Sequence, residues 1–326
     1  MLKSWIKVGV VILSSALLLG ACGDDGGTTS KSENKTYKIG ITQIVEHPSL
    51  DAAKDGFKKA LEDAGIDAEY DEQIAQGDPS ASTTIASNLV SENVDLIFAN
   101  STPSAQSAAS ATSDIPIVFT SVTDAVGAEL VESMENPGAN VTGTIDSHPD
   151  AIPNTMKFLK EELGAKKVGM VFNSGEQNSR AQVDAVKAML KDMDMTVVEA
   201  SVATSADVKQ ATESLIGKVD SLYIITDNTV VSALESVVSV ANENQIPMMV
   251  AEFDSVKRGG LAAYGFEYFD IGYEAGEMAV KILKGESKPA DLPVQIPQKL
   301  IFTMNKDTAS ALNLKIKDEW KAELSE

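Results

Sequence analysis

The chain has few of the residues that carry out catalysis or hold metals in most proteins. Its 326 residues include one cysteine, Cys22, and two histidines, His47 and His148. A single cysteine excludes an intrachain disulfide, and the two histidines lack the spacing of a zinc site. The sequence also contains no G-x-S-x-G elbow, no P-loop and no G-x-G-x-x-G turn. We therefore expect a protein that is not an enzyme and that holds neither a metal nor a cofactor.

Basic residues, and arginine above all, are also scarce. The chain carries 27 lysines and arginines against 48 aspartates and glutamates, a net charge of −21. This excess of acids argues against nucleic-acid binding, because that affinity rests on basic residues meeting phosphates. Arg180 and Arg258 are the only arginines, which disfavours phosphate and dicarboxylate ligands because arginine forks commonly bind them. Trp5 and Trp320 lie near the two ends, so we expect no tryptophan to stack on a sugar in a binding cleft.

The first 22 residues have the pattern of an export signal. Lys3 and Lys7 precede an almost unbroken apolar run over residues 8–19, which leads into Leu-Gly-Ala-Cys at Cys22. Such a basic start and short apolar segment are typical of a signal peptide, and the run is shorter than the ~20 residues that a membrane-spanning helix needs. Leu-Gly-Ala-Cys also resembles the lipobox, before whose cysteine bacteria cut the signal. We predict a signal peptide over residues 1–21 and a lipid anchor at Cys22, with an uncleaved anchor helix as the alternative.

The segment after Cys22 has no apolar side chain. Residues 23–36 are Gly, Asp, Thr, Ser, Lys, Glu and Asn alone. They cannot bury apolar surface, so we predict a flexible tether over residues 22–36 between the lipid anchor and a folded domain. The protein would then lie at the extracytoplasmic face of the bacterial cell membrane and contact that membrane only through its lipid.

From Tyr37 onward, short β-branched runs alternate with longer amphipathic segments, which predicts parallel sheets with crossover helices. The alternation occurs twice. A strand over residues 38–45 with a helix over 50–64 matches a strand over 167–173 with a helix over 179–193. Equal spacing of equivalent units indicates two similar lobes. We predict an α/β fold of two Rossmann-like lobes, each a parallel sheet flanked by helices.

The lobes are expected to divide near Val122 and again near Glu252. This prediction places residues 37–122 and 253–288 in the first, N-terminal lobe, and residues 123–252 and 289–326 in the second, C-terminal lobe. Ligands of open α/β sheets bind beyond the carboxyl ends of the strands. Six segments that follow strands should therefore converge on one cleft: residues 44–49, 100–104, 121–124, 173–178, 226–229 and 252–255.

These six segments are polar and almost free of basic residues. Several begin helices, where free N–H groups and the helix dipole favour a carboxylate, and their acids suit an ammonium group, because a buried cation must be paired. Taken singly, each hydroxyl is explained as well by helix capping and each acid by solvation. A zwitterionic amino acid would use both kinds of group.

Two further expectations concern this amino acid. Asp227 should meet its ammonium group, so that Asp227→Ala weakens binding and changes the stability of the ligand-free protein little. Aromatic side chains near strand ends are candidate walls of an apolar pocket: Phe98, Phe119, Phe253, Phe266 and Tyr268.

Several segments are similar to one known family. They are residues 46–51 (EHPSLD), 102–106 (TPSAQ), 116–124 (PIVFTSVTD), 136–143 (NPGANVTG), 173–179 (NSGEQNS) and 227–228 (DN). In this order they resemble the ABC-transporter substrate-binding lipoproteins associated with tryptophan and other aromatic amino acids, from about residue 38 to about residue 299. The resemblance implies a type I periplasmic-binding fold, with a hinge of several crossings and the ligand in the cleft. Asn100-Ser101 departs from the family, in which a more apolar pair precedes Thr-Pro.

Carried over by position, the resemblance implies these ligand contacts: Gln43, His47, Thr102, Thr120, Asp146, Asn173, Glu176, Asn178, Asp227, Asn228 and Glu252. It also implies an ABC permease and its ATPase as partners, and we expect a monomer. The predicted function is capture of an amino acid with an aromatic side chain (tryptophan, phenylalanine or tyrosine) for an ABC importer. A receptor for a nucleoside or another small solute, and a lipoprotein that passes its ligand to a membrane sensor kinase, have the same features and stay alternatives.

Overall fold

The computed structural model describes residues 35–325. The predicted signal peptide, the predicted lipid anchor at Cys22 and the tether up to residue 34 lie outside the described residues. Within residues 35–325, no helix combines the length and the apolar character needed to cross a membrane.

The first part of the chain alternates strands and helices up to residue 145. Its elements are β1 (Tyr37–Gln43), α1 (Pro48–Asp63), β2 (Ala68–Ile74), α2 (Pro79–Ser91), β3 (Leu96–Asn100), α3 (Thr102–Ala111), β4 (Ile117–Val122) and β5 (Val141–Ile145).

The remainder contains the second series of strands and helices. Its elements are α4 (Ala151–Glu161), β6 (Lys167–Asn173), α5 (Gln177–Lys191), β7 (Thr196–Val202), α6 (Val208–Glu213), β8 (Ser221–Ile224), α7 (Asn228–Val231), α8 (Leu234–Glu243), β9 (Met248–Val250), α9 (Phe253–Lys257), β10 (Ala262–Gly265), α10 (Tyr268–Leu283), β11 (Ile301–Asn305), α11 (Lys306–Ala311) and β12 (Glu323–Ser325).

Two sheets organise the chain into two lobes. The first sheet has the strand order β2-β1-β3-β4-β5, and all of its pairs are parallel. The second has the order β12-β11-β10-β9-β8-β6-β7 and is parallel except for the pair β10–β11. The predicted α/β fold of two parallel sheets flanked by helices is confirmed.

The start of α1 is fixed at the carboxyl edge of the first sheet. Pro48 suits the first turn because its φ is already helical and it has no N–H to leave unpaired, and the His47 side chain caps the helix by accepting from the Leu50 N–H. Phe57, on the buried face of α1, stacks on Phe98 of β3 with 3.9 Å between ring centroids. The segment from His47 to Ser49 is thereby held where the cleft begins.

Helix α10 packs on α1 almost backbone to backbone. A Cβ at Gly272 of α10 would lie 1.9 Å from the backbone oxygen of Ala53, and one at Gly56 of α1 would lie 2.1 Å from that of Phe269. The two glycines therefore set the distance between the helices. Helix α10 belongs to the first lobe, as predicted.

The chain leaves each lobe later than predicted, so both boundaries need correction. Residues 123–145 were assigned to the second lobe, yet β5 pairs with β4 and Leu130 is buried in the core of the first lobe. Residues 253–265 were assigned to the first lobe, yet β10 pairs with β9 and Phe253 is buried in the core of the second. Each of these strands pairs with the strand that precedes it in the chain, so the boundaries expected near Val122 and Glu252 cut one strand from each sheet.

Three crossings connect the lobes: between β5 and α4, between β10 and α10, and between α10 and β11. In the third, Gln295 forms a parallel bridge with Thr144 of β5. In the second lobe, α7 and α8 are separated by a break at Ser232 and Ala233, because Ala233 has a non-helical backbone. As a result α7 is short and begins directly at the cleft.

Candidate functional site

A cavity of about 940 Å³ lies between the lobes. The first lobe lines it with residues that follow β1, β2 and β3, and the second with residues that end or follow β6, β7 and β8. Its lining residues are Ile44, Val45, Gln76, Gly77, Asp78, Pro79, Thr83, Pro103, Gln106, Ser107, Ser110, Asn173, Ser174, Gly175, Glu176, Gln177, Val202, Ala203, Thr204, Ser205, Asn228, Thr229 and Ser232. Four of the six segments expected to converge contribute to this lining (residues 44–49, 100–104, 173–178 and 226–229), whereas residues 121–124 and 252–255 do not.

Glu176 is at the centre of the second-lobe wall. Its Oε2 accepts from the backbone N–H and side-chain amide of Asn228 at 3.3 and 2.5 Å, and from the side-chain amide of Asn178 at 3.3 Å. Its Oε1 accepts from the N–H and hydroxyl of Thr229 at 3.2 and 2.8 Å. This carboxylate is therefore saturated by its own lobe before any ligand is considered. The structure brings Asn173, Glu176 and Asn228 of the predicted site together in the cavity lining.

Asp227 lies behind this wall and has a structural role. It is fully buried, caps α7 by accepting from the Val230 N–H at 2.8 Å, and also accepts from the Asn173 N–H at 2.6 Å and the Ser179 hydroxyl at 2.7 Å. Burial, with the nearby charge of Glu176, raises the pKa of Asp227 to about 7. The sequence suggested that Asp227 pairs with a ligand's ammonium group. Because Asp227 accepts hydrogen bonds from three groups of its own lobe, it is poorly placed for that role.

Asn178, in the first turn of α5, has unused hydrogen-bonding capacity. Its side-chain N–H₂ donates to the Thr226 backbone oxygen at 3.0 Å, while its Oδ1 is buried and has no partner among the described residues. An unpaired buried acceptor is costly, so this oxygen is suited to an N–H donor from a ligand.

The first turn of α3 offers the complementary groups on the first lobe. Ser101 caps α3 by accepting from the Ser104 N–H, and its φ of 119° with ψ of 160° lies in a region that only glycine adopts freely, which costs ~1–3 kcal/mol. The hydroxyls of Thr102 and Ser104 are buried and have no partner within residues 35–325. Pro103, between them, lines the cavity. Strained backbone and unpaired hydroxyls together mark this turn as a site suited to an anion.

Thr102 and three other predicted residues of the first lobe lie outside the cavity lining, and so does Asn178 of the second lobe. The Gln43 amide donates to Val45 O at 2.9 Å and to Asp51 at 3.0 Å, and the Thr120 hydroxyl bonds that of Thr144 at 2.8 Å. His47 interacts with Asn228 of the second lobe; its burial, and to a lesser extent the charge of Arg258, lowers its pKa to about 4, so the imidazole is neutral at pH 7.

Asp146 and Glu252 form a second polar cluster on the hinge side, apart from the cavity lining. Asp146 accepts from the Tyr268 hydroxyl at 2.8 Å and from that of Thr123 at 2.9 Å, and burial raises its pKa. Glu252 of the second lobe accepts from the hydroxyl of Ser49, next to His47 in the first. Burial, then the charges of Asp254 and Asp146, raise the pKa of Glu252 to about 8. These groups join the two lobes directly.

The expected aromatic walls are not part of the cavity lining. Phe98 and Phe119 are fully buried in the first lobe, and Phe253, Phe266 and Tyr268 lie at the hinge side. The apolar lining consists of Ile44, Val45, Pro79, Pro103 and Val202, with Ala203 at the edge. Sequence reasoning also did not single out Ser49, whose partner Glu252 becomes visible only when the lobes are placed together, or Gln177, which lines the cavity.

Comparisons with known proteins agree with this architecture. The profile of the ABC transporter substrate binding protein family matches residues 38–325. The chain belongs to this family. It is 45% identical over 313 residues to a tyrosine-binding protein of Clostridioides difficile strain R20291, covering 93% of this chain and 90% of that protein. The expected type I periplasmic-binding fold and its several-crossing hinge are confirmed.

Two solved structures bear on the arrangement of the lobes. An ABC domain of Streptococcus pneumoniae in complex with L-Trp is 32% identical and superposes with a TM-score of 0.83, covering 89% of this chain and 99% of that one. The ligand-free, open structure of CD0873 from Clostridium difficile is 44% identical, with the same coverage, and superposes with a TM-score of only 0.66. Because rotation between lobes lowers a global superposition, the lobes of this protein are arranged more as in the complex than as in the open form.

Proposed function

We propose that this chain is the solute-binding lipoprotein of an ABC importer and that it binds an aromatic amino acid in the cavity between its lobes. The observation that carries the proposal is the pair of facing helix starts with unpaired polar groups. The Thr102 and Ser104 hydroxyls on α3 have no partner among the described residues, and neither has Asn178 Oδ1 on α5. The named ligands of the tyrosine-binding relative and of the L-Trp complex support the same class.

The two ends of a zwitterion fit these groups. The carboxylate lies at the first turn of α3, where the Thr102 and Ser104 hydroxyls donate and the helix dipole is favourable. The ammonium group donates to Asn178 Oδ1 and lies near the Glu176 carboxylate. Glu176 thus takes the role of pairing with the ammonium group, which the sequence suggested for Asp227. Ile44, Val45 and Pro103 contact the side chain. A ligand bound in this way bridges the lobes and stabilises their closed arrangement.

Thr102→Val tests the carboxylate site, because valine keeps the shape and removes the hydroxyl. Loss of a hydrogen bond to a charged group costs ~1.5–3 kcal/mol, so tyrosine or tryptophan should bind at least about tenfold more weakly. Thr84→Val, on an exposed part of α2 outside the cavity lining, is the matched control. Isothermal titration calorimetry with tryptophan, phenylalanine, tyrosine, indole-propionate and nucleosides gives the answer. Tight binding of indole-propionate would disprove the zwitterion, and tight binding of a nucleoside alone would support the other receptor class.

The anchor and the import role have separate tests. Cys22→Ala should release the protein from membranes while ligand binding is kept; unchanged membrane fractionation of this variant would refute the lipoprotein assignment. Deletion of the gene should lower uptake of the labelled amino acid if the chain serves an importer. Normal uptake together with loss of a transcriptional response would instead indicate a sensor.

A further inference from the structure

The cavity is larger than an amino acid needs, and its outer part has a distinct chemistry. Its inner part is formed by buried or half-buried residues: Ile44, Val45, Pro103, Asn173, Glu176 and Asn228. Most of the other lining residues are exposed, and we call the part of the cavity between the following residues the outer trough. Its walls are residues 76–79, Thr83, Ser107 and Ser110 on the first lobe, and residues 202–205 and Ser232 on the second.

The outer trough is poor in charge although the protein is highly charged. Charged residues make up 23% of the chain, yet Asp78 and Glu176 are the only two among the 23 residues that line the whole cavity. Both are already engaged: Asp78 caps α2 by accepting from the Ser80 and Ala81 N–H groups at 2.7 and 3.3 Å, and Glu176 is saturated within its lobe. Both hydrogen bonds of Asp78 are to Oδ1, so its exposed carboxylate keeps a second oxygen and its negative charge, and this is the one charge that the trough lining offers a ligand.

The remaining polar groups suit peptide bonds. The hydroxyls of Thr83, Thr204 and Ser232 donate within their own lobe, so each leaves an oxygen that accepts from an amide N–H. The Ser107 hydroxyl is placed to donate to an amide oxygen. The lining of the cavity contains no aromatic side chain, so it offers no ring for stacking on a sugar. An amide chain that ends in an ammonium group, which the Asp78 carboxylate can pair, fits the trough better than an anion or a carbohydrate.

The inner part determines which end of the ligand is extended. A carboxylate is needed to satisfy the Thr102 and Ser104 hydroxyls, which have no partner among residues 35–325. An amide N–H, by contrast, donates to Asn178 Oδ1 as an ammonium does, and Glu176 loses little because five donors of its own lobe already bond it. The amino end of the ligand is thus the end that tolerates a further residue.

We infer that the protein also binds short peptides whose C-terminal residue is aromatic, with the preceding residue in the outer trough. This inference rests on the proposed function, since it keeps the aromatic residue and its carboxylate in the inner part.

Calorimetry with tyrosine, Gly-Tyr, N-acetyl-tyrosine and Tyr-Gly tests it on the mature protein. Gly-Tyr and N-acetyl-tyrosine should bind within tenfold of tyrosine, and Tyr-Gly at least tenfold more weakly than Gly-Tyr. Tyrosine binding without Gly-Tyr binding would overturn the inference and leave the proposed function intact. No binding of any of the four would overturn both, and equal binding of Tyr-Gly and Gly-Tyr would refute the assignment of the extended end.

A pair of neighbouring threonines provides the placement test. Thr83 and Thr84 are both exposed on α2, and their hydroxyls donate to the backbone oxygens of Pro79 and Ser80 at 3.1 and 3.0 Å. Only Thr83 lines the trough. Thr83→Trp should weaken Gly-Tyr binding at least tenfold and tyrosine binding less than threefold, while Thr84→Trp should change neither. An unchanged affinity of Thr83→Trp for Gly-Tyr would refute the position of the peptide.

Discussion

The substitution Glu252→Gln removes a carboxyl group from the contact between the lobes while keeping an oxygen that accepts from the Ser49 hydroxyl. Burial raises the pKa of Glu252 to about 8 in the folded protein, whereas an exposed glutamate has a pKa of about 4.3. The folded state therefore holds a proton that the unfolded state has lost. Its stabilising effect is fully present below about pH 4 and is lost as the pH rises through 8.

The effect of Glu252 on the free energy of unfolding is easiest to isolate at pH values where its neighbours titrate little. The pKa of His47 is lowered to about 4 and that of Asp227 is raised to about 7, so both groups change the free energy of unfolding mainly below pH 7. Between pH 7 and pH 8, Glu252 alone should lower the free energy of unfolding by about 1 kcal/mol, since one pKa unit corresponds to ~1.4 kcal/mol. The Glu252→Gln variant should lose correspondingly less over the same interval.

Urea denaturation followed by circular dichroism at pH 7.0, 7.5 and 8.0 measures this difference. Glu243→Gln, on the exposed surface of α8, is the matched control and should follow the wild type. Equal losses of stability in the wild type and Glu252→Gln between pH 7 and pH 8 would refute the reasoning. That result would mean that the Glu252 carboxyl is already ionised at pH 7 in the closed protein.

Three other substitutions have expected outcomes. Tyr268→Phe leaves the buried Asp146 carboxyl without one donor and should cost ~1–3 kcal/mol of unfolding free energy in urea denaturation, whereas Tyr273→Phe, at an exposed contact, should cost almost nothing. Gly272→Ala places a methyl group 1.9 Å from a backbone oxygen of α1 and should lower the thermal midpoint, with a cost of at least ~1–3 kcal/mol; an unchanged midpoint would contradict the close packing. Asp227→Ala removes the acceptor of three bonds, so differential scanning calorimetry should show a clear loss of stability without ligand, contrary to the expectation from the sequence.

The elements that could be predicted are those with a local cause. The strand over Lys167–Asn173 has the predicted bounds, and α1 begins two residues before the predicted helix because Pro48 and the His47 cap lengthen it. Burial of Phe57 and Leu61 follows from helical spacing alone. Sheet membership has no such local signal. The strands β5 and β10 were placed in the wrong lobes because their partners are fixed by tertiary packing.

The candidate site was predictable only as a set of strand ends. Asn173, Glu176 and Asn228 line the cavity, but Asp146 and Glu252, which have equally polar sequence surroundings, lie at the hinge side. The orientation of one lobe against the other decides between these positions. No pattern within a single strand and its loop contains that information.

Hydrogen-bond partners distinguish polar residues that bond only within their own lobe from those suited to a ligand, and they do so better than residue type does. Asp227, the acid that the sequence favours for an ammonium group, and the neighbouring Glu176 accept eight hydrogen bonds between them from their own lobe. The Thr102 and Ser104 hydroxyls and Asn178 Oδ1 look like ordinary helix-start groups, yet they are among the buried side-chain atoms that have no partner in the described residues. Because an unpaired buried polar atom costs ~1–3 kcal/mol, a ligand that pairs all three gains most from lobe closure. The same pairing would offset the cost of the strained Ser101 backbone at the start of α3.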